Sequence, residues 1–189
     1  MLPGSRPSEV AHILPVLVSA ARLLHKEMPD AQFLVARAPH LGDELFADVR
    51  GVDRTVVVEG DADAVLGSAD VAVTASGTAT VQTALHDTPM IIVYRVSPIS
   101  YQVLRRLVRV ESIGMVNLIA GEKIAPELVQ DAFTPEAVVR ETLSLLTNQD
   151  RAARMRDGLA RVRARLGAPG ASGRAADAIL EVARRTSNA

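Results

Sequence analysis

The sequence contains no cysteine and no tryptophan, and its only aromatic residues are three phenylalanines and two tyrosines. The absence of cysteine excludes disulfides and cysteine-based metal sites, and it is compatible with a reducing compartment. Because 48% of the residues are hydrophobic, the core has to be built mainly from alanine, valine, leucine and isoleucine. A chain of 189 residues is long enough for one ordinary domain, and we expect residues 1–189 to form a single one.

The sequence also lacks an excess of charge of either sign. Its 21 basic and 22 acidic residues give a net charge of −1, which provides no general attraction to nucleic acid. No uninterrupted apolar run approaches the roughly 20 residues of a membrane span, and the first residues do not resemble a signal peptide. The four histidines show no metal-ligand spacing. We therefore expect a cytoplasmic protein without a metal or another cofactor.

The common phosphate-binding and nucleophile motifs are missing as well. Neither G-x-x-x-x-G-K-[ST] nor G-x-G-x-x-G occurs, which argues against a P-loop or a dinucleotide fingerprint. The residues around Ser76 lack the flanking glycines of a nucleophile elbow, so Ser76 is not expected to be a nucleophile.

The most informative stretch, residues 69–95, reads as strand, turn, helix, turn and strand. Short apolar blocks at its two ends are typical of strands buried on both faces. Between them stand six small residues, 75–80. A helix that begins there directs free N–H groups and the positive end of its dipole at the turn, which favours an anion such as a phosphate. The alternative is a capped turn that binds no ligand.

A second turn of small residues, 4–6, follows Met1 and Leu2. Two apolar residues are too few for a strand, so we expect the chain to begin at the end of a β-strand whose earlier part is missing. Arg6 can add charge-assisted bonds to a phosphate, and the alternative is a solvated arginine. Because ligands bind at the carboxyl ends of parallel strands, both turns are expected at the same edge, with unpaired amides of each turn facing a pyrophosphate.

The alternation of strands and helices predicts an α/β fold with a parallel sheet of roughly five or six strands, closed by C-terminal helices. The first helix is expected to have Ser8 as its cap and to be kinked, or to begin later, because of Pro15. Residues 112–128 show no clean period and are interpreted as a loop or short strand. Further strands are predicted at 32–36 and 55–58, a short helix at 41–49, an Asp61-capped helix at 61–67, and helices from Ser97 onward and at 135–147, 149–166 and 173–186.

Two segments are rich in arginine. Arg105, Arg106 and Arg109 alternate with apolar residues and can contact an acidic or lipidic partner; the alternative is an amphipathic helix whose charged face lies in water. The six arginines between Arg151 and Arg165 are interpreted mostly as a solvated helix face with few acidic partners.

Three motifs resemble one known family. LPGSRPSEV (2–10), ADVAVTASGTATVQTALHDTPMIIVYRVSP (69–98) and NLIAGEKIAPELVQDAFTPE (117–136) are similar, in this order, to the C-terminal half of lipid-A-disaccharide synthase. The resemblance implies the UDP-sugar-binding Rossmann-like domain of a metal-independent GT-B glycosyltransferase. This family joins a UDP-activated diacylglucosamine to a monosaccharide lipid phosphate, with inversion of the anomeric centre and release of UDP.

The resemblance also implies site residues. Ser5, Arg6 and the residues Ser76, Gly77, Thr78, Ala79 and Thr80 would face the diphosphate, and Asn117, Glu127 and Gln130 would lie near the nucleotide or sugar. Gln82 stands where the family usually has a glutamate, and a glutamate in this region of GT-B enzymes commonly holds ribose hydroxyls. Val116 replaces a proline that is usual in the family. Both departures predict weaker donor binding, although Gln82 can still form hydrogen bonds.

In the family the N-terminal half supplies the acceptor site and the candidate general base. We therefore expect these 189 residues to bind UDP or a UDP-sugar but to transfer no sugar alone, and their catalytic residues are unknown. The resemblance implies a place at the inner face of the cytoplasmic membrane. Two alternatives are a non-catalytic GT-B-like interaction module and another UDP-sugar enzyme, such as an epimerase or a UDP-GlcNAc transferase.

Overall fold

The computed structural model describes residues 1–97, 112–168 and 170–187, with side chains described as far as 184. Strands and helices alternate along the chain as predicted. The strands are β1 (Phe33–Arg37), β2 (Thr55–Glu59), β3 (Ala72–Ala75), β4 (Met90–Tyr94) and β5 (Glu127–Val129). The α-helices are α1 (Pro7–Glu27), α2 (Ala62–Gly67), α3 (Thr78–Leu85), α4 (Met115–Ala120), α5 (Pro135–Thr147), α6 (Gln149–Leu166) and α7 (Ala171–Ser187), and 3₁₀ helices lie at Asp43–Gly51 and Gln130–Ala132.

Every strand pair in the sheet is parallel, with β1 beside β2 and β4 between β3 and β5. Met1 and Leu2 lie between β1 and β3 and connect the two groups. The carbonyl of Met1 accepts from the amide of Ala36 at 2.9 Å, and Leu2 pairs with Thr74. The spatial order is therefore β2, β1, the Met1 and Leu2 segment, β3, β4 and β5, which confirms the parallel sheet.

This strand order creates a switch point beside Leu2. From there the chain builds the sheet first toward β1 and β2, and it then returns to add β3, β4 and β5 on the other side. In such sheets the crevice outside the carboxyl ends of the strands at the switch point is the usual ligand site. Turn 4–6 follows Leu2 and turn 76–78 follows β3, so the prediction that both turns lie at one edge is confirmed.

The helices cover the sheet in two groups. α1 packs with α5 and the first 3₁₀ helix, whereas α6 packs with α3 and α4. Both groups contribute to the hydrophobic cluster around β3 and β4, so Ile91, Ile92 and Val93 are fully buried. Continuous apolar runs are what strands covered on both faces require. Phe133 is the largest of the fully buried side chains in the described part of the chain. Phe33 and Phe46 are buried in the second hydrophobic cluster, and most of the other core residues are aliphatic.

Helix α1 differs from its prediction in two ways. Its N-cap is Arg6 with Pro7 at the first helical position, so the prediction of a Ser8 cap is wrong; proline is favoured there because its missing N–H is not needed. The helix also begins at Pro7 and continues through the exposed Pro15, so the alternative of a later start is wrong, and a kink at Pro15 stays a prediction.

Among the described residues, α1 is the helix that is long and apolar enough to cross a membrane by length and composition. Half of its apolar window is buried inside the protein. The nine buried residues of α1 contribute to both hydrophobic clusters. The burial of these residues in the hydrophobic core therefore explains why α1 is apolar.

The interpretation of residues 112–128 as a loop or short strand is wrong in part, because the segment forms both α4 and β5. A helix of only six residues is too short to show a helical period. The helices at 135–147 and 149–166 are confirmed, with Thr134 and Asn148 as caps. The predicted helix from Ser97 onward, including Arg105, Arg106 and Arg109, lies beyond the described residues.

The arginines of α6 have more partners than the sequence indicated. Arg151 pairs with Glu141 at 2.5 Å, Arg161 pairs with Glu122 at 2.6 Å, and Arg163 pairs with Asp87. Arg165 donates to two carbonyls at the end of α4. These bonds fasten α6 to α5 and to the segments around α3 and α4, although each exposed pair contributes at most about 1 kcal/mol.

Candidate site at the carboxyl edge of the sheet

The turn before α3 offers free backbone N–H groups. Gly77 caps this helix with φ 148° and ψ −158°, a conformation essentially restricted to glycine. Thr80 closes the turn by donating its amide and its hydroxyl to the carbonyl of Gly77, at 3.1 and 2.8 Å. Within the described part of the chain, the amides of residues 77–79 have no hydrogen-bond acceptor. A Cβ on Gly77 would meet nothing within 4 Å, so no described atom crowds that side of Gly77.

The polar groups of Ser76 and Thr80 already form hydrogen bonds within the protein. The amide of Ser76 donates to the carbonyl of Val93 at 2.9 Å, and its hydroxyl donates to the carbonyl of Ile113 at 2.8 Å. Thr80 is fully buried. Of the predicted small-residue set, the structure therefore leaves Gly77, Thr78 and Ala79 accessible to an anion through their backbone.

The turn at residues 4–6 corrects a prediction. The amides of Ser5 and Arg6 donate to Oε2 of Glu9, at 3.1 and 3.3 Å, so this turn does not present free amides to a ligand. The physical reason is that a glutamate at the third helical position caps the helix that follows. Sequence reasoning missed Glu9, although its position two residues after Pro7 is the signal for this cap.

Glycine at position 4 allows the carboxylate to fold back over the turn. Gly4 has φ 120°, and a Cβ there would lie 2.7 Å from Oε2 of Glu9. What the turn still offers to a ligand is the guanidinium of Arg6, which donates one N–H to Oε1 of Glu9 at 2.7 Å. The Arg6 side chain is 76% exposed, against 24% for Glu9.

Gln82 lies one helical turn after Thr78 in α3, and its side chain forms a hydrogen bond with a residue of α2. Its Nε2 donates to Oδ1 of Asp63 at 2.9 Å, and Nε2 of His86 lies 2.8 Å from the same oxygen. Hydrogen bonds from His86 and then from Gln82 lower the pKa of Asp63 below its ordinary value of 3.8. His86 caps the end of α3, so this group connects the two helices that flank β3.

We expect the Asp63 contacts to stabilise the protein only while the carboxylate is charged. A carboxyl group whose pKa is lowered by folding contributes stability above its unfolded pKa, and this contribution is lost as the pH falls through the folded pKa. The difference in free energy of unfolding between wild type and Asp63→Asn should therefore shrink as the pH falls below 3.8. Urea unfolding at several pH values, over the range in which both proteins fold, measures this; a difference that stays constant contradicts the assignment.

Asn117, which is buried, and Glu127, which is half-buried, share one hydrogen-bond network. Asn117 is 2% exposed; its Nδ2 donates to the carbonyl of Ala125 and to Glu127, at 2.9 and 2.8 Å. Its Oδ1 accepts from the amides of Ile124 and Ala125. Glu127 also accepts from the amides of residues 113 and 114, at 3.1 and 3.0 Å, and so caps α4.

Gln130 fixes the segment that follows β4. Its backbone has φ 50°, and its side chain accepts from the amide of Val96 at 2.9 Å and donates to the carbonyl of Val96 at 3.2 Å. Arg95 donates to the carbonyl of Gln130 at 3.0 Å. Gln130, like Asn117 and Glu127, thus holds backbone near the carboxyl edge, and a contact with a nucleotide stays a prediction for all three.

The predicted site residues do not line the cavities of about 500 and 620 Å³. The first cavity lies at the opposite edge of the sheet, between the starts of β1 and β3, and the second lies between α6 and the segment before β5. Arg6 and Thr78 are exposed at the carboxyl edge. Among the described residues, exposed groups at this edge, and neither of these two cavities, therefore define the candidate site.

Two solved structures share this fold. A protein of Listeria monocytogenes, provisionally assigned as a UDP-N-acetylglucosamine 2-epimerase, matches 82% of this chain and 38% of its own, with a TM-score of 0.54 and 16% identity. The GtfA/B complex matches 87% of this chain and 34% of its own, with a TM-score of 0.52 and 13% identity. At these identities the likeness concerns the fold alone. Together with the switch-point crevice, it defines the chain as a Rossmann-like half of the GT-B class.

The sequence comparisons identify the family. The family described as Lipid-A-disaccharide synthetase matches residues 1–181. The lipid-A-disaccharide synthase of Syntrophus aciditrophicus is 40% identical over 98% of this chain, and that of Anaeromyxobacter sp. strain K is 42% identical over 97%. The chain belongs to the lipid-A-disaccharide synthase family, whose members are glycosyltransferases of lipid A biosynthesis. It spans about half the length of these relatives, 49% in both cases.

Proposed function

We propose that this chain is the donor-binding half of an inverting lipid-A-disaccharide synthase and that it binds UDP-diacylglucosamine. The observation that carries the proposal is the set of amides at residues 77–79, which have no acceptor among the described residues and lie at the switch point on the same edge as Arg6. Membership of the family makes a nucleotide-sugar the most reasonable anion for this site.

The diphosphate would bind where positive charge is already in place. The amides of residues 77–79 lie at the N-terminus of α3, which is the positive end of the helix dipole, and each could donate to a phosphate oxygen. The guanidinium of Arg6 adds charge-assisted bonds from the neighbouring turn. As the sugar leaves, negative charge develops on UDP, and preorganised donors of this kind stabilise it.

Gln82 would contribute less than the glutamate that is usual in the family. Its Nε2 is engaged by Asp63, and its Oε1 is the group left to accept a ribose hydroxyl. A neutral oxygen accepts a weaker hydrogen bond than a carboxylate. Asn117, Glu127 and Gln130 would act near the nucleotide mainly by fixing the backbone that surrounds it.

We further propose that the acceptor site and the general base belong to the part of the relatives that these residues do not cover. The chain would then bind its donor without transferring the sugar, and the acceptor would be a lipid phosphate. Contact of Arg105, Arg106 and Arg109 with lipid phosphates at the inner face of the cytoplasmic membrane belongs to the same proposal.

Titration with UDP tests this function. We expect a Kd below about 1 mM, equivalent to at least about 4 kcal/mol of binding free energy, with the largest NMR shifts at the amides of residues 77–79. No heat and no shift at millimolar UDP would contradict donor binding. Formation of disaccharide by the isolated chain would contradict the second part of the proposal.

A further inference from the structure

The carboxylate of Glu9 makes every hydrogen bond described for it within the turn at residues 4–6. Oε2 accepts from the amides of Ser5 and Arg6, and Oε1 accepts from Nη1 of Arg6. Because a carboxylate has two oxygens, Glu9 can bind both the backbone amides of this turn and the side chain of Arg6. The absence of a Cβ at Gly4 makes room for it.

This arrangement leaves Arg6 anchored yet accessible. A guanidinium carries five N–H donors, and one of them is used on Glu9 while the side chain remains 76% exposed. A long arginine side chain that is free in solution loses rotamer entropy when it binds a phosphate, and an anchored one loses less. Repulsion between Glu9 and a bound diphosphate acts in the opposite direction. It is reduced because Arg6 pairs with the carboxylate and two amides solvate it.

We propose that Glu9 is a positioning residue that holds the guanidinium of Arg6 ready for the diphosphate. The proposal rests on the proposed function, since it assigns Glu9 a role in UDP binding through Arg6. It differs from an ordinary helix cap, because a cap affects folding stability without affecting affinity for an anion.

Glu9→Gln separates the two roles. Glutamine keeps an oxygen that can accept from the amides of Ser5 and Arg6, but it lacks the charge that anchors the guanidinium. We expect UDP affinity to fall about 5-fold, in the range of one lost preorganised side chain, with little change in Tm. Glu27→Gln is the matched control: it removes the same charge from the other end of α1, where the side chain is exposed, and should leave the affinity unchanged.

A double-mutant cycle with Arg6→Ala decides whether Glu9 acts through Arg6. In the Arg6→Ala background, Glu9→Gln should cause no further loss of affinity. Glu9→Asp adds a second measurement, because it retains the charge but is one methylene too short, and it should also weaken binding. Unchanged or tighter binding by Glu9→Gln overturns the proposal, as does an equal loss with and without Arg6. Wild-type protein that binds no UDP overturns the proposed function as well, and that titration is done first.

Discussion

Thr78→Trp is expected to lower the affinity for UDP by at least about 100-fold, equivalent to about 2.7 kcal/mol, while Tm stays within about 2 °C of wild type. Thr78 is the first residue of α3, and its side chain is exposed beside the amides of residues 77–79, for which the described part of the chain provides no acceptor. An indole there would cover the amides that a diphosphate has to reach. Calorimetric titration with UDP and thermal unfolding of the same samples measure both quantities.

Leu85→Trp is the matched control for this experiment. Leu85 is the last residue of the same helix and is 56% exposed, so the same indole is added about 10 Å away along the helix axis. We expect wild-type affinity for this variant. If Thr78→Trp binds UDP as tightly as wild type, the turn before α3 is not the diphosphate site.

Asn117→Ala is expected to lower the free energy of unfolding by about 3 kcal/mol. The substitution removes all four hydrogen bonds of a buried side chain and leaves the amides of Ile124 and Ala125 without their acceptor; each unsatisfied buried group costs about 1–3 kcal/mol. For a protein of this size the loss corresponds to about 6–12 °C in Tm. Urea unfolding gives the free energy directly.

The comparison variant is Asn148→Ala. Asn148 caps α6 through a single bond to the amide of Arg151 at 2.9 Å, so the same substitution should cost only about 1 kcal/mol. A stable Asn117→Ala protein that has lost UDP binding would show that Asn117 serves the ligand, and it would reject the structural role.

Several elements were predictable because their signals are local. The small residues at 75–80 between two apolar blocks predicted the turn before α3, and Thr134 followed by Pro135 predicted the start of α5. The parallel arrangement followed from the alternation of strands and helices. It placed both turns at one edge, as the pairing of Leu2 with Thr74 confirms.

Other elements depended on contacts that local patterns do not contain. Helix α4 is too short to show a period, and its cap, Glu127, lies twelve residues after it begins and across a strand boundary. The resemblance to the family places Asn117 and Gln130 near a nucleotide, yet both side chains are engaged by the protein's own backbone. Only the folded chain brings these partners together.

The sequence by itself determined the parallel α/β fold, the position of the two turns and, through its motifs, the family. The tertiary structure alone decided which turn is open, because that depends on where a neighbouring carboxylate folds. Glu9 occupies the amides of the first turn, whereas no described side chain reaches those of residues 77–79. Strand and helix propensities act over a few residues, but the availability of an N–H group depends on every atom that can approach it.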